Sequence, residues 1–249
     1  MLPDLGRVRR DHVALHAAGG DDPLPPLEVS YGDFAAWHRE WLMGAECQQQ
    51  LDFWLKRMLQ AGSARPLPAD TARGSTMSGE GATEWLSIAR DKSEALHELA
   101  TQSGATQFVA TLTVFSVLLH DFARDSHLVI GTPVRARTVA EVEAIMGYFN
   151  NLLLLPIEVK PSESFVTLLE RVKASVVESF AMPGVPLEQL ERAMTEANGK
   201  SQQSPYQALF SFQDVRQRAT RWGGLQHAMI PLFQRGATED LGMWFVESV

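Results

Sequence analysis

Residues 106–124, TQFVATLTVFSVLLHDFAR, carry Phe108, Leu112, Phe115, Leu119 and Phe122 on one helical stripe. Two short apolar runs follow, HLVIGTP (127–133) and NLLLLPIEV (151–159). A helix this apolar must bury most of its surface, and short apolar runs without polar alternation read as strands covered on both faces. Together they demand layers, with strands side by side and helices packed on them. The rest of the chain after residue 82 has the same grammar. TEWLSIAR (83–90) reads as a strand, and Asp91 and Glu94 open a helix that runs through Thr101 and stops at Gly104. Residues 162–181 read as a helix with Phe165, Leu168, Leu169, Val172 and Val176 inward. YQALFSFQD (206–214) alternates, with Ala208, Phe210 and Phe212 on one face and Gln207, Leu209, Ser211 and Gln213 on the other. DLGMWFVESV reads as a last strand. The predicted fold class is α/β, a mixed sheet flanked by helices.

The first quarter of the chain is helical in pattern. Leu2, Leu5, Val8, His12 and Leu15 predict a helix over 3–17, which GGDDPLPPLEVS cannot continue. Ser30 and Asp33 have capping-box spacing, and Tyr31, Phe34, Trp37 and Trp41 then form an aromatic stripe. Gly44 interrupts it, and Leu51, Trp54, Leu55 and Met58 resume an apolar face. Residues 61–81, AGSARPLPADTARGSTMSGEG, are rich in Gly, Pro, Ser and Thr and read as a linker between a segment 1–60 and a segment 82–249.

A net charge of −8 without a dense Lys/Arg cluster argues against a nucleic-acid partner. The single cysteine, Cys47, cannot close an intramolecular disulfide and points to a reducing compartment. The start has charges through it and no apolar core of a signal peptide, and no apolar run approaches the roughly 20 residues needed to span a bilayer. A cytoplasmic protein without a membrane partner is the expectation. No GxSxG, Walker A, HExxH or CxxC pattern occurs. His12 and His16 share a predicted helix face but lack a third ligand nearby, so no metal site is assigned. His120 and Asp121 read as polar residues closing a helix, where an imidazolium suits the dipole.

Five stretches in order resemble the condensation domain of nonribosomal peptide synthetases. YGDFAAW (31–37) is similar to that family's YxDYAVW, and VIGTPVRAR (129–137) to VVGTPVAGR. IMGYFNNLLLL (145–155) resembles IGFFVNTLVLR, AMPGVPLEQL (181–190) resembles HQDLPFEKL, and SPYQALFSFQD (204–214) resembles SPLFQVMFSLQN. The resemblance implies a chloramphenicol-acetyltransferase-like fold of two lobes with a tunnel between them. It implies carrier-protein partners, which bring acyl or aminoacyl thioesters on phosphopantetheine arms, with no cofactor bound directly. The family's reaction is attack of an acceptor amine on a donor thioester, assisted by the second histidine of HHxxxDG. That motif is not in this sequence: no two histidines are adjacent and no Asp-Gly dipeptide occurs. By the family's order, residues 1–60 match the end of the first lobe and 82–249 an incomplete second lobe. The missing first lobe is then a further partner, and no catalytic residue is assigned within this chain. The expected function is therefore part of an amide-forming enzyme, inactive alone. The alternatives are a non-catalytic condensation-like module that docks carrier proteins or a tailoring enzyme, and a gene piece without function.

The resemblance also marks candidate site residues. Thr132, Asn151, Ser211 and Gln213 are the candidates for lining the tunnel, and Tyr31, Asp33, Trp37, Arg137, Gly147, Pro186 and Glu188 are motif positions with structural roles. Asn151 matches the motif asparagine, and its amide fits either a brace for a loop or a contact to a tethered thioester. Asn150 stands where the family has Val, Leu152 where it has Thr, Pro156 where it has Arg, and Met182-Pro183-Gly184 where it has His-Gln-Asp. Arg137 is placed to pair with Glu141 or Glu143, or to stay solvated. Ser211 and Gln213 either look into the tunnel or form the polar face of a half-buried strand. Glu188, just after Pro186, suits the first turn of a helix.

Overall fold

The computed structural model describes residues 26–62, 64–71, 78–199, 205–216, 221–222, 225–226 and 236–247. The helix expected over 3–17, with His12 and His16, lies outside the described residues. Six α-helices are described: α1 Tyr31–Trp41, α2 Ala45–Ala61, α3 Arg90–Gln102, α4 Gln107–Ala123, α5 Phe165–Phe180 and α6 Leu187–Asn198. The strands are β1 His127–Arg135, β2 Asn150–Glu158, β3 Ala208–Asp214, β4 Arg221–Trp222, β5 Leu225–Gln226 and β6 Gly242–Glu247. Four of them make one sheet in the order β2-β1-β3-β6. β1 and β2 pair antiparallel from His127↔Glu158 to Arg135↔Asn150, whereas β3 runs parallel to both β1 and β6. The sheet is mixed and flanked by helices, as the sequence pattern predicts.

β1 and β2 are apolar over most of their length because both of their faces are covered. On one face Leu128 and Ile130 of β1, Leu155 and Ile157 of β2, and Ala208 and Phe210 of β3 pack with Leu112, Phe115 and Leu119 of α4 and Leu168, Leu169 and Val172 of α5. Val129 and Leu154, of opposite parity, join a second cluster with Cys47, Leu51, Trp54 and Met58 of α2 and Leu190 and Met194 of α6. So α2, which precedes the linker in sequence, shares a core with the strands that follow it. The linker also contributes to the core, because Leu67 is buried against the first cluster.

Helix ends follow local chemistry. Ser30 and Asp33 form a reciprocal capping box, Thr106 caps α4 and Ser164 caps α5. Gly44, expected to interrupt, is the N-cap of α2 in extended conformation. Three expectations are corrected. Residues 83–89 form no strand: they are irregular, with Trp85, Leu86 and Ile88 exposed. α3 is preceded by Ala89 as N-cap without a side-chain bond, so Asp91 lies inside the first turn and does not cap it. Phe122, assigned to the inward stripe of α4, is 55% exposed.

The β1–β3 ladder is short, with two paired positions, and a side chain lengthens it. The Gln207 backbone N–H donates to Val129 O at 2.9 Å, and the Val129 N–H donates to Gln207 Oε1 at 2.8 Å. Among the described residues no single helix is long and apolar enough to cross a membrane; α3 and α4 reach that length only together, bent by 111°.

Candidate functional site

Three motif segments far apart in sequence meet at one end of β1 and β2. The first is α1. Its aromatic stripe does not enter the core, and none of its residues is buried. It covers the segment between β1 and β2 instead. Tyr31 and Phe34 meet the Phe149 ring with centroids 5.5 and 4.7 Å apart, and Phe34, His38 and Trp41 continue as a stack with spacings of 5.3 and 5.8 Å. Trp37, half-exposed, leans on Phe34 at 5.8 Å. Burial among the rings pushes the His38 imidazole below its ordinary pKa. The Asp33 carboxylate is held below its ordinary pKa by the Ser30 backbone N–H and then by the Ser30 hydroxyl.

The covered segment, 136–149, forms a small core of Val142, Ile145 and Phe149 with Val29 and Phe34. Arg137 organises it from inside. Its guanidinium donates to Val142 O and, at 2.8 Å, to Ile145 O, and it lies 3.8 Å above the centroid of Phe149. The expected pairing with Glu141 or Glu143 is not made. Arg135 takes Glu143 instead. Tyr31 Oη donates to Tyr148 O at 3.1 Å.

The third segment is the loop between α5 and α6. Asn151, second residue of β2, donates both Nδ2 hydrogens into it, to Pro183 O at 2.8 Å and Val185 O at 2.7 Å. Its Oδ1 accepts from Leu152 N at 2.9 Å. Both donors of the amide are thus committed to backbone, which leaves no N–H for a ligand in this arrangement. Pro186 stands at the N-cap of α6 and Glu188 in its first turn, the favourable end of the dipole. Cys47 packs beneath, its thiol 3.7 Å from Gln189 Oε1 and pushed up in pKa by burial.

Thr132 is opposite Leu153 and Asn151 opposite Val134, and both of these partners pack in the second cluster, with α2 and α6. Ser211 and Gln213 alternate with Phe210 and Phe212, which pack in the first cluster, with α4 and α5, so they lie on the opposite face of β3. Thr132 is buried, and its hydroxyl has no hydrogen-bond partner among the described residues. Ser211 is buried and Gln213 is exposed, beside the exposed Trp244 and Val246 of β6.

No three His, Cys, Asp or Glu side chains among the described residues could hold a metal ion. His120 and Asp121 do not pair: His120 Nδ1 lies 2.8 Å from Asp125 O, and Asp121 binds Arg124. His127 opens β1 at the end opposite Asn151, exposed and 4.0 Å from Glu158. Sequence reasoning missed Gln50 and Trp54 as site residues. Gln50 Oε1 accepts from Gly184 N at 3.0 Å, and Trp54 Nε1 donates to Met182 O at 2.8 Å. The signal was available: Gln50 sits on the apolar face of α2 beside Leu51, four residues before Trp54, where an amide needs a buried partner.

The family described as Condensation domain matches residues 13–230. A curated relative, phosphinothricin tripeptide synthetase PhsC of Streptomyces viridochromogenes, is 39% identical over 196 residues, 77% of this chain and 18% of that synthetase. The X-domain from teicoplanin biosynthesis superposes with a TM-score of 0.75 at 21% identity, over 94% of this chain and 53% of that one. The first condensation domain of the calcium-dependent antibiotic synthetase, solved with a substrate analogue, gives 0.73 at 19% identity over 98% of this chain and 53% of that one. This chain therefore spans less than a fifth of the curated synthetase and about half of each solved neighbour.

Proposed function

Since the chain belongs to the condensation-domain family of nonribosomal peptide synthetases, as a part of such a domain, we propose that it supplies one wall of an acyl tunnel in which an amide bond is formed. The observation that carries this reading is the convergence of three motif segments, 31–37, 145–155 and 181–190, through Tyr31, Gly147, Asn151 and Val185. In the reaction, the acceptor amine attacks the donor thioester carbon, the amide bond forms and a thiol leaves. Both acyl groups arrive as substrates on phosphopantetheine arms of carrier proteins.

The sequence contains no HHxxxDG. In this reading the general acid–base group comes from a first lobe, and the present chain contributes geometry. Residues 1–60 belong by chain order to that first lobe, 61–81 connect, and 82–249 form the second. α2 packs on the sheet of the second segment, which supports reading it as the joint between them. A reducing cytoplasmic setting agrees with one buried, unpaired cysteine.

Isothermal titration with the loaded carrier proteins of the same assembly line tests the reading. Saturable binding of a carrier supports it, and absence of detectable binding to any of them counts against it. A second reading, a non-catalytic module that docks a carrier or a tailoring enzyme, is supported by the likeness in fold to the X-domain from teicoplanin biosynthesis, which has been solved in complex with OxyB. It predicts the same carrier binding with no product under any combination of lobes.

A further inference from the structure

Backbone polar groups in a loop are usually satisfied by other backbone, by their own side chains or by water. The loop Met182–Pro186 departs from this. Four of its backbone groups are taken by side chains from two other elements. Trp54 Nε1 of α2 donates to Met182 O at 2.8 Å, and Gln50 Oε1 of α2 accepts from Gly184 N at 3.0 Å. Asn151 Nδ2 of β2 donates to Pro183 O and Val185 O. Trp54 is 1% exposed and Gln50 8%. Gly184 has no room for a side chain, since a Cβ there would lie 2.4 Å from the Trp41 ring and 3.1 Å from Gln50 Oε1. The two proline nitrogens, at 183 and 186, carry no hydrogen to pair.

We propose that Gln50, Trp54 and Asn151 act as one clamp on this loop, and that Gln50 and Trp54 are positioning residues for the Asn151 amide. The loop is the shared element: each side chain holds a different peptide group of the same five residues. Moving Met182 or Gly184 moves the carbonyls of Pro183 and Val185, which fix the rotamer of Asn151. Helix α2 thereby sets the orientation of a β2 motif residue about 100 positions later in the chain. For the tunnel reading above, on which only this consequence rests, the segment before the linker controls the shape of the second lobe's wall without touching substrate.

Hydrogen exchange by NMR on the full chain tests the clamp and is independent of activity. Gln50→Met keeps length and bulk but removes the acceptor. The clamp predicts that the Asn151 side-chain amide protons, which Gln50 does not touch, exchange about tenfold faster, the loss expected for a net hydrogen bond. Backbone amides of Leu112 and Leu155 in the other cluster change by less than about twofold in the same variant. Acceleration at Gly184 alone would overturn the proposal by showing independent contacts. A uniform rise at all core amides would overturn it as well, by showing a general loss of stability. If Gln50→Met does not fold, Trp54→Phe, which removes only the indole donor, is read in the same way against the same protons. Carrier binding can succeed or fail whichever pattern appears, so the two readings fall separately.

Discussion

The ring of Tyr31 occupies the space a side chain at residue 147 would need: a Cβ on Gly147 would lie 2.2 Å from Tyr31 Cδ2. The two are 116 positions apart, and each belongs to a different motif. The contact, with the Tyr31 bond to Tyr148 O, sets α1 on the segment between β1 and β2.

Gly147→Ala should therefore destabilise the protein by about 1–3 kcal/mol, the usual cost of overpacking where a neighbour cannot move. Denaturant unfolding measures it. Tyr31→Ala alone is also destabilising, but in the double variant the costs should be less than additive by at least about 0.5 kcal/mol, because the second change removes the clash. Full additivity would mean that the ring and the glycine are not in contact.

Arg137 and Arg135 invite a direct comparison. Arg135 makes an ion pair with Glu143 in which both side chains are nearly half exposed, and such pairs contribute about 0–1 kcal/mol. Arg137 satisfies two carbonyls and stacks on Phe149. Arg137→Met should cost about 1–3 kcal/mol and Arg135→Met less than about 1 kcal/mol in the same unfolding assay. The reverse order would contradict the assignment of Arg137 as the organiser of 136–149.

His38 gives stability a pH dependence of known sign. Its pKa is lowered in the folded protein, so between that value and the ordinary 6.5 the unfolded chain binds more protons. Its contribution is present above about 6.5 and is lost as pH falls below it. The unfolding midpoint of the wild type should drop from pH 7.5 to 5.5, and His38→Phe, which keeps a ring between Phe34 and Trp41, should drop less. An equal drop in both would assign the effect to other groups.

Leu67 is 5% exposed although it lies in the segment composition marks as a linker. Leu67→Ala should cost about 2–4 kcal/mol and speed proteolytic cleavage within residues 64–71. Unchanged stability would show that the linker is not anchored.

What was legible in the sequence was whatever depends on near neighbours. The Ser30–Asp33 box, the five inward residues of α5 and the apolar runs of β1 and β2 are set by periodicity and local capping, and the structure has each of them. TEWLSIAR failed because an apolar pattern becomes a strand only where it pairs with another, and 83–89 add to neither edge of the described sheet. Ring spacing in the aromatic stripe of α1 says which residues share a face, not how deep that face lies, and none of them is fully buried. The partners of Asn151, 32 and 34 residues away, and those of Gly147 and Gly184 are set by tertiary contact alone. Such contacts leave no period in the sequence, though a glutamine on an apolar face and a glycine inside a motif both marked where to look.

The most direct test of the central claim follows product. The chain is mixed with a loaded donor and a loaded acceptor carrier protein, with and without a first-lobe polypeptide bearing HHxxxDG, and amide formation is read by mass spectrometry. A positioned acid–base group is typically worth about 10²–10⁴ in rate, and orientation of the two arms by the second lobe adds to that. The account predicts no product above background from the chain alone, and product when the first lobe is supplied. Product from the chain alone that disappears in His127→Ala would contradict it, placing a catalytic centre at the far end of β1.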